Sequence, residues 1–326
     1  AERRTQFSAP GRDGEVKLLD YLAHQRKLLP ALAKSYALHF AQAELVGTLH
    51  EVFTHADPAD PRRRELEARA AGIKAVATWH ASRTIQTCRE ACGGAGYLGE
   101  NRLPGLKADT DVFTTFEGDN TVLLQLVAKE LLTSYRDHFG ELDMLGTVRF
   151  VAGLAVGSVL ERSALLSKLA AVGRAQEGDW TDRGWQLTLL DFRERHLTDG
   201  LARRLRRAVD AEDPFVVFNA CQDHLLATAQ AHVDRLLAEA FVAALEDCAD
   251  PAVRLLLERV CDLYVLSTVE ADRAWYLEHG RLSAAQSKQL IGEVNRLCGE
   301  LRPHALSLID GFGVPDVALR LPMLQD

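Results

Sequence analysis

A stripe of apolar residues at helical spacing near the start of the chain restricts the fold most: Leu18, Leu19, Leu22, Leu28, Leu29, Leu32, Tyr36, Phe40, Leu45, Val46 and Leu49. Residues three and four apart share one helix face, so the stripe predicts a long amphipathic helix over about 16–53 that must be covered by other helices. Pro30 is expected to kink or split it, because proline lacks the N–H and its ring collides with the preceding turn. The same period recurs downstream and predicts helices near 62–91, 120–138, 147–171, 180–210, 214–247, 251–278 and 283–301. Asp57-Pro58 and Asp60-Pro61 mark a turn, and 140–146 is a weaker boundary. Pro214 and Pro251 suit first-turn positions, and Ser283 suits a cap. Asp119 or Asn120 is expected to cap the helix that follows it. Strand-like runs are scarce. The expected class is all-α, with a polar arm over 1–14 and two stacked helical bundles over 15–140 and 141–326.

Composition narrows the function. The 326 residues carry 38 basic and 46 acidic groups, a net charge of −8, which gives no general pull toward nucleic acid or an anionic membrane. The runs Arg62-Arg63-Arg64 and Arg203-Arg204 with Arg206-Arg207 read as solvated helix faces. No apolar run approaches the ~18 residues of a membrane span. The longest candidate, 151–160, is broken by two glycines and a serine. The six cysteines (Cys88, Cys92, Cys221, Cys248, Cys261 and Cys298) read as reduced thiols in apolar helical surroundings, which suits an intracellular, cytoplasmic setting. Cys88 and Cys92 are one turn apart with no further ligands nearby, so no metal is expected. Neither a Gly-x-Ser-x-Gly elbow nor a His-Glu-x-x-His zinc motif occurs.

Two segments carry chemistry. Phe116-Glu117-Gly118-Asp119-Asn120-Thr121-Val122 puts a carboxylate between an aromatic ring and a glycine. It stands just ahead of a helix, near the positive end of the dipole, a setting suited to a general base. Upstream, Cys88-Arg89-Glu90-Ala91-Cys92-Gly93-Gly94-Ala95-Gly96-Tyr97-Leu98 ends a helix at paired glycines, with a third that permits close approach of a backbone or a phosphate. No strand precedes it and a helix ends there, so it is not a dinucleotide-binding fingerprint.

Together, "CREACGGAGYL" and "DTDVFTTFEGDNTVLLQ" resemble the acyl-CoA oxidase family, within the acyl-CoA dehydrogenase superfamily. Arg3-Arg4-Thr5-Gln6-Phe7 resembles the family segment that meets the flavin's diphosphate and adenine, and "LLDYLAHQRKLLPALAKSYAL" resembles the helix after it. "VFNACQDHLLATAQAHVDRLLAEAF", "EHGRLSAAQSK" and "LRPHALSLIDGFGVP" resemble the additional C-terminal domain of the oxidases, so the likeness covers nearly the whole chain.

The resemblance implies FAD-dependent α,β-desaturation of an acyl-CoA thioester to the trans-2-enoyl-CoA, in fatty-acid β-oxidation or a related pathway. Dioxygen would take the electrons and leave as hydrogen peroxide. Glu117 stands at the catalytic-base position and Gly118 at a substrate contact. Arg4, Thr5, Gln6, Phe7, His24, Gln25, Cys92, Gly93, Gly94, Asp119, Asn120 and Thr121 stand at cofactor contacts. A homodimer is implied, because several such contacts in the superfamily reach the partner's flavin. Eukaryotic relatives would be peroxisomal. The family's preceding helical and β-domains match nothing here, so the chain is expected to act with an N-terminal half supplied elsewhere. Glu90 departs from the glutamine of many dehydrogenases and is expected to turn toward Arg89. The longer gap between Arg4 and His24, and Asp119-Asn120 in place of a threonine, favour the oxidase branch. Two readings stay open: a dehydrogenase that passes electrons to an electron-transfer flavoprotein, and a non-catalytic helical module for dimerisation.

Overall fold

A computed structural model of the chain describes residues 1–8, 10–11, 13–55, 62–139 and 179–325. Apart from one small hairpin the described chain is helical, as the all-α reading requires. The hairpin is in the arm: Thr5–Ser8 (β1) pairs antiparallel with Glu15–Lys17 (β2), Thr5 opposite Lys17 and Ser8 opposite Glu15. Because β2 uses the residues expected to start the first helix, α1 begins later and runs Leu22–His55. It passes through Pro30 unbroken. The buried neighbours Leu29 and Ala33 hold both sides of the proline in the packed interior, so tertiary packing outweighs the lost backbone bond.

Helix α2 spans Arg62–Ala91, as its period predicts. The stretch after it is more ordered than the expected loop. It holds 3-10 turns at Gly93–Tyr97, Gly99–Asn101 and Val112–Thr114 and a helix, α3, over Leu103–Asp111 with Pro104 in its first turn. Helix α4 spans Asn120–Phe139. The expected turn at 57–61, boundary at 140–146 and helix at 147–171 lie outside the described residues.

Farther on, α5 is Arg183–Arg206, capped by Asp182. The helix expected over 214–247 is divided into α6 (Pro214–Asn219) and α7 (Gln222–Glu246), because Cys221 N–H bonds back to the Phe218 carbonyl in a tighter turn. The helix expected over 251–278 is divided into α8 (Pro251–Ala271) and α9 (Arg273–Glu278), where Asp272 leaves helical geometry. Helix α10 (Ala284–Leu301) opens on a capping box in which Ser283 and Gln286 satisfy each other's backbone N–H. Short helices α11 (Ala305–Asp310) and α12 (Pro322–Gln325) finish the chain.

By contacts the chain divides into two units. The first gathers Ala1–Ala37, Ala77–Phe116 and Val242–Asp326; the second gathers Leu38–Val76 and Glu117–Phe241. In the first unit α8 packs on α10, burying Tyr264, Leu266 and Val269 with Leu290, Val294, Leu297 and Leu301. The last four recur at intervals of four, three and four residues, the apolar seam of an amphipathic helix. Two ties bring the start of the chain to its end within this unit. Arg302 pairs with Asp20 and Glu2, each at 2.6 Å, and the Tyr36 hydroxyl donates to the Leu308 carbonyl at 2.6 Å.

In the second unit α2, α4, α5 and α7 bury Ile73, Val127, Leu201 and Leu237 among others. Gly72 marks a close approach: a Cβ there would lie 2.7 Å from Val233 Cγ2 and 3.2 Å from Val127 Cγ2. Beside this apolar core lies a buried charge cluster. Arg235 pairs with Glu194 and Glu239, and His232 Nδ1 lies 3.0 Å from Glu194 Oε1. Burial alone would push the Glu194 carboxyl up, but Arg235 and His232 hold it well below the usual carboxylate range.

Candidate active site

The predicted site residues fall in both units, and each group has its own local frame. In the first unit α2 ends at Ala91 and Gly93 takes the left-handed conformation, φ 59°, that lets the chain turn off a helix. The chain then doubles back on the helix end so tightly that a Cβ on Gly96 would sit 2.1 Å from the Arg89 carbonyl oxygen. Only glycine fits there. The Arg89 guanidinium stacks over the Tyr97 ring at 4.7 Å. Glu90 accepts from Gln86 Nε2 at 2.7 Å, so it turns back along α2 to Gln86 rather than toward Arg89.

The arm comes to this turn. Arg4 Nη1 lies 3.5 Å from where a Cβ on Gly93 would be, while the same position on Gly94 meets nothing within 4 Å. An exposed guanidinium beside an open, side-chain-free backbone is a cradle of the kind that suits phosphate oxygens. Thr5 Oγ1 donates to Glu15 across the hairpin at 3.0 Å, and the Gln6 carbonyl accepts from the Tyr21 hydroxyl at 2.9 Å. These bonds fix the arm and leave Phe7 66% exposed, in left-handed backbone at φ 63°. Cys92 is half-buried at the start of the turn.

His24 and Gln25 differ. Gln25 is 6% exposed and its amide donates to the Leu19 carbonyl at 3.0 Å, so its side chain anchors the start of α1. The His24 ring is held below its ordinary pKa by burial first, then by the N-terminal ammonium and Lys27. Its Nε2 is buried without a hydrogen-bond partner, a position that a ligand would satisfy.

The second unit holds the carboxylate. Glu117 is exposed, in left-handed backbone at φ 57°, and Gly118 follows at φ 113°. Among the described residues the non-glycine residues with positive φ are Phe7, Arg102 and Glu117. Two of these three are predicted site residues, and such strain, of order 1–3 kcal/mol, persists where surrounding contacts enforce it. Asp119 supplies the cap of α4, its Oδ1 accepting from Thr121 N at 2.9 Å and Val122 N at 3.3 Å. Asn120 is 1% exposed and donates to the Ala75 carbonyl at 3.2 Å. Lys74 was absent from the sequence-based set. Its ammonium donates to the Gly118 carbonyl at 2.6 Å and to Asn120 Oδ1 at 3.0 Å. Its position between Ile73 and Ala75 on a long helix gives no hint of this; only the fold brings it to the turn.

Among the described residues no group of three His, Cys, Asp or Glu side chains is placed to hold a metal ion. No described helix is long and apolar enough to cross a membrane.

Comparison with known proteins agrees with the motifs. Residues 1–132 match the family model described as the acyl-CoA oxidase C-alpha1 domain, and residues 184–323 match the acyl-CoA oxidase model. The peroxisomal acyl-coenzyme A oxidase 2 of Arabidopsis thaliana is 34% identical over 322 residues, covering 98% of this chain and 45% of its own length. The acyl-CoA oxidase of tomato superposes with a TM-score of 0.80 at 26% identity, over 96% of this chain and 46% of that one. The Caenorhabditis elegans acyl-CoA oxidase-2, solved with FAD, ascaroside-CoA and ATP, shares the fold at a TM-score of 0.80 and 24% identity, over 98% and 45%. This chain belongs to the acyl-CoA oxidase family. It spans about half the length of the relatives it matches.

Proposed function

We propose that this chain carries the catalytic base and part of the flavin-contacting surface of an FAD-dependent acyl-CoA oxidase. The observation that carries the reading is the strained, exposed Glu117, held at the start of α4 by a turn whose Gly118 carbonyl, Asp119 carboxylate and Asn120 amide are all engaged by other groups. The substrate is a saturated acyl-CoA and the product its trans-2-enoyl-CoA, as the family and the motifs support. Glu117 takes the α-proton onto its carboxylate. A fixed carboxylate suits this step because the proton is weakly acidic and transfer demands close, aligned approach.

Arg4, the Gly93–Gly94 backbone and Cys92 support a diphosphate contact, Phe7 an adenine contact, and the unpartnered His24 Nε2 a further polar contact. When bound, FAD supplies the hydride acceptor, and in an oxidase its two electrons pass to dioxygen, giving hydrogen peroxide. Thr5 and Gln6 keep the arm in place. Asp119, Asn120 and Thr121 keep the base turn in place, and Gly118 offers the substrate side a backbone without a side chain. A homodimer, with an N-terminal half that completes the site, accords with the family architecture.

The test is anaerobic titration of the flavin-loaded holoenzyme with saturated acyl-CoA, followed by air. Bleaching of the flavin's visible band, then fast recovery with peroxide, is the expected result. Bleaching without recovery in air would transfer the chain to the dehydrogenase class. Absence of bleaching across several acyl chain lengths would leave a helical module without catalysis.

A further inference from the structure

We infer that Lys74 is a positioning residue for the Glu117 carboxylate, an inference that rests on Glu117 being the base. Lys74 lies on α2, within the second unit. Its ammonium grips the turn after Glu117 at two points, the Gly118 carbonyl at 2.6 Å and Asn120 Oδ1 at 3.0 Å.

Three observations show that the grip has a purpose. Glu117 and Gly118 sit at φ 57° and 113°, a backbone path that an unrestrained glutamate leaves for right-handed or extended geometry. Hydrogen bonds from a charged donor are about twice as strong as neutral ones, so a lysine on the Gly118 carbonyl opposes that relaxation directly. Secondly, Asn120 is buried and donates onward to the Ala75 carbonyl at 3.2 Å. The start of α4 is therefore tied to α2 through Asn120 twice, once to the backbone of Ala75 and once to the ammonium of Lys74. Thirdly, the N-terminus of a helix is the unfavourable end for a cation. A lysine kept there, at the mouth of α4, is accounted for by the carbonyl and amide oxygens it holds.

Proton abstraction depends steeply on alignment, and a displacement of about 1 Å in a reacting group costs on the order of 100-fold in rate. Without Lys74 the turn can relax about Gly118, and the carboxylate leaves its place while the fold and the flavin-contacting arm of the first unit stay intact.

The experiment uses flavin-loaded holoenzyme carrying Lys74→Met, Lys74→Arg or Glu117→Gln, with anaerobic stopped-flow reduction by acyl-CoA. For Lys74→Met the limiting reduction rate falls on the order of 10- to 100-fold. Its half-saturating acyl-CoA concentration, flavin content and melting behaviour stay near wild type. Lys74→Arg, which offers donors to both oxygens, restores most of the rate. If Lys74→Met does not fold, Lys74→Gln, with a neutral donor, takes its place and shows a smaller drop. A wild-type rate in Lys74→Met or Lys74→Gln, beside a dead Glu117→Gln, overturns the inference while leaving the base reading intact. So does a loss that follows flavin content or melting and that arginine does not restore. A wild-type rate in Glu117→Gln overturns the base reading and this inference with it.

Discussion

Replacing Glu117 by glycine or by alanine separates the backbone from the carboxylate. Both variants remove the carboxylate proposed as the base, so loss of substrate-driven flavin reduction is expected of both; the informative quantity is their relative stability. In ordinary right-handed or extended backbone, glycine is less stable than alanine by about 0.4–1 kcal/mol, because its unfolded chain has more freedom to lose. Glu117 sits instead at φ 57°, where a residue with a Cβ is disfavoured by about 1–2 kcal/mol and glycine is not. The difference leaves Glu117→Gly more stable than Glu117→Ala by about 0.5–1 kcal/mol, the reverse of the usual order. For a protein of this size that is a rise of about 1–3 °C in the melting midpoint. Thermal melts of the two variants, made side by side at one flavin loading, measure it. If alanine equals or exceeds glycine, Glu117 is not held in the left-handed region and the strain argument for its role fails.

Other expectations are as definite. Gly96→Ala places a Cβ 2.1 Å from the Arg89 carbonyl oxygen, so the glycine turn must open; the melting midpoint drops and flavin affinity falls, read by ultrafiltration of bound flavin. Glu194→Gln removes one of the two carboxylates that Arg235 pairs with, leaves Glu239 in place, and costs about 1–3 kcal/mol in urea denaturation. Burial, with Lys34 and Arg83 nearby, lowers His80 from 6.5 to about 4, and its Nε2 lies 2.9 Å from Ser35 Oγ. A histidine lowered in the folded state binds its proton more readily when unfolded. Its contribution is therefore complete above pH 6.5 and is lost as pH falls from 6.5 toward 4. Melts across that window show the decline, and His80→Gln flattens it.

Much of the fold was legible because apolar period and punctuation agreed. Helix α2 ends where Gly93 permits a left-handed turn, and α10 begins where Ser283 and Gln286 form a box, both visible as residue types at fixed offsets. The misreadings came where tertiary contacts outweighed local pattern. Val16 opens the helix expected over 16–53, yet it lies in β2, in the strand paired across the hairpin. Pro30 should break a helix, yet burial on either side carries α1 through it. Cys221 and Asp272 break helices at residues with no breaker chemistry, so their splits left no mark in the sequence. At the site, the sequence singled out Glu117 and the glycine turn but not Lys74. A lysine inside a long helix looks the same whether it faces water or holds a carbonyl on another element. Gln25 shows the converse: the motif pointed to it, and the fold uses its amide to anchor the first helix.

The first unit is assembled from three stretches separated along the chain, the last of them beginning at Val242. Arg302 reaches back 282 residues to Asp20, and Tyr36 waits for the Leu308 carbonyl. Synthesis therefore makes the arm with Arg4 and Phe7 well before the surface that receives it, which begins at Val242. The second unit, Leu38–Val76 with Glu117–Phe241, has all its residues before that surface is made. Biosynthesis thus sets an order, with the part holding Glu117 able to condense first and the arm docking last. Early termination soon after Phe241 would leave Glu117 on a formed helix and the arm with nowhere to bind.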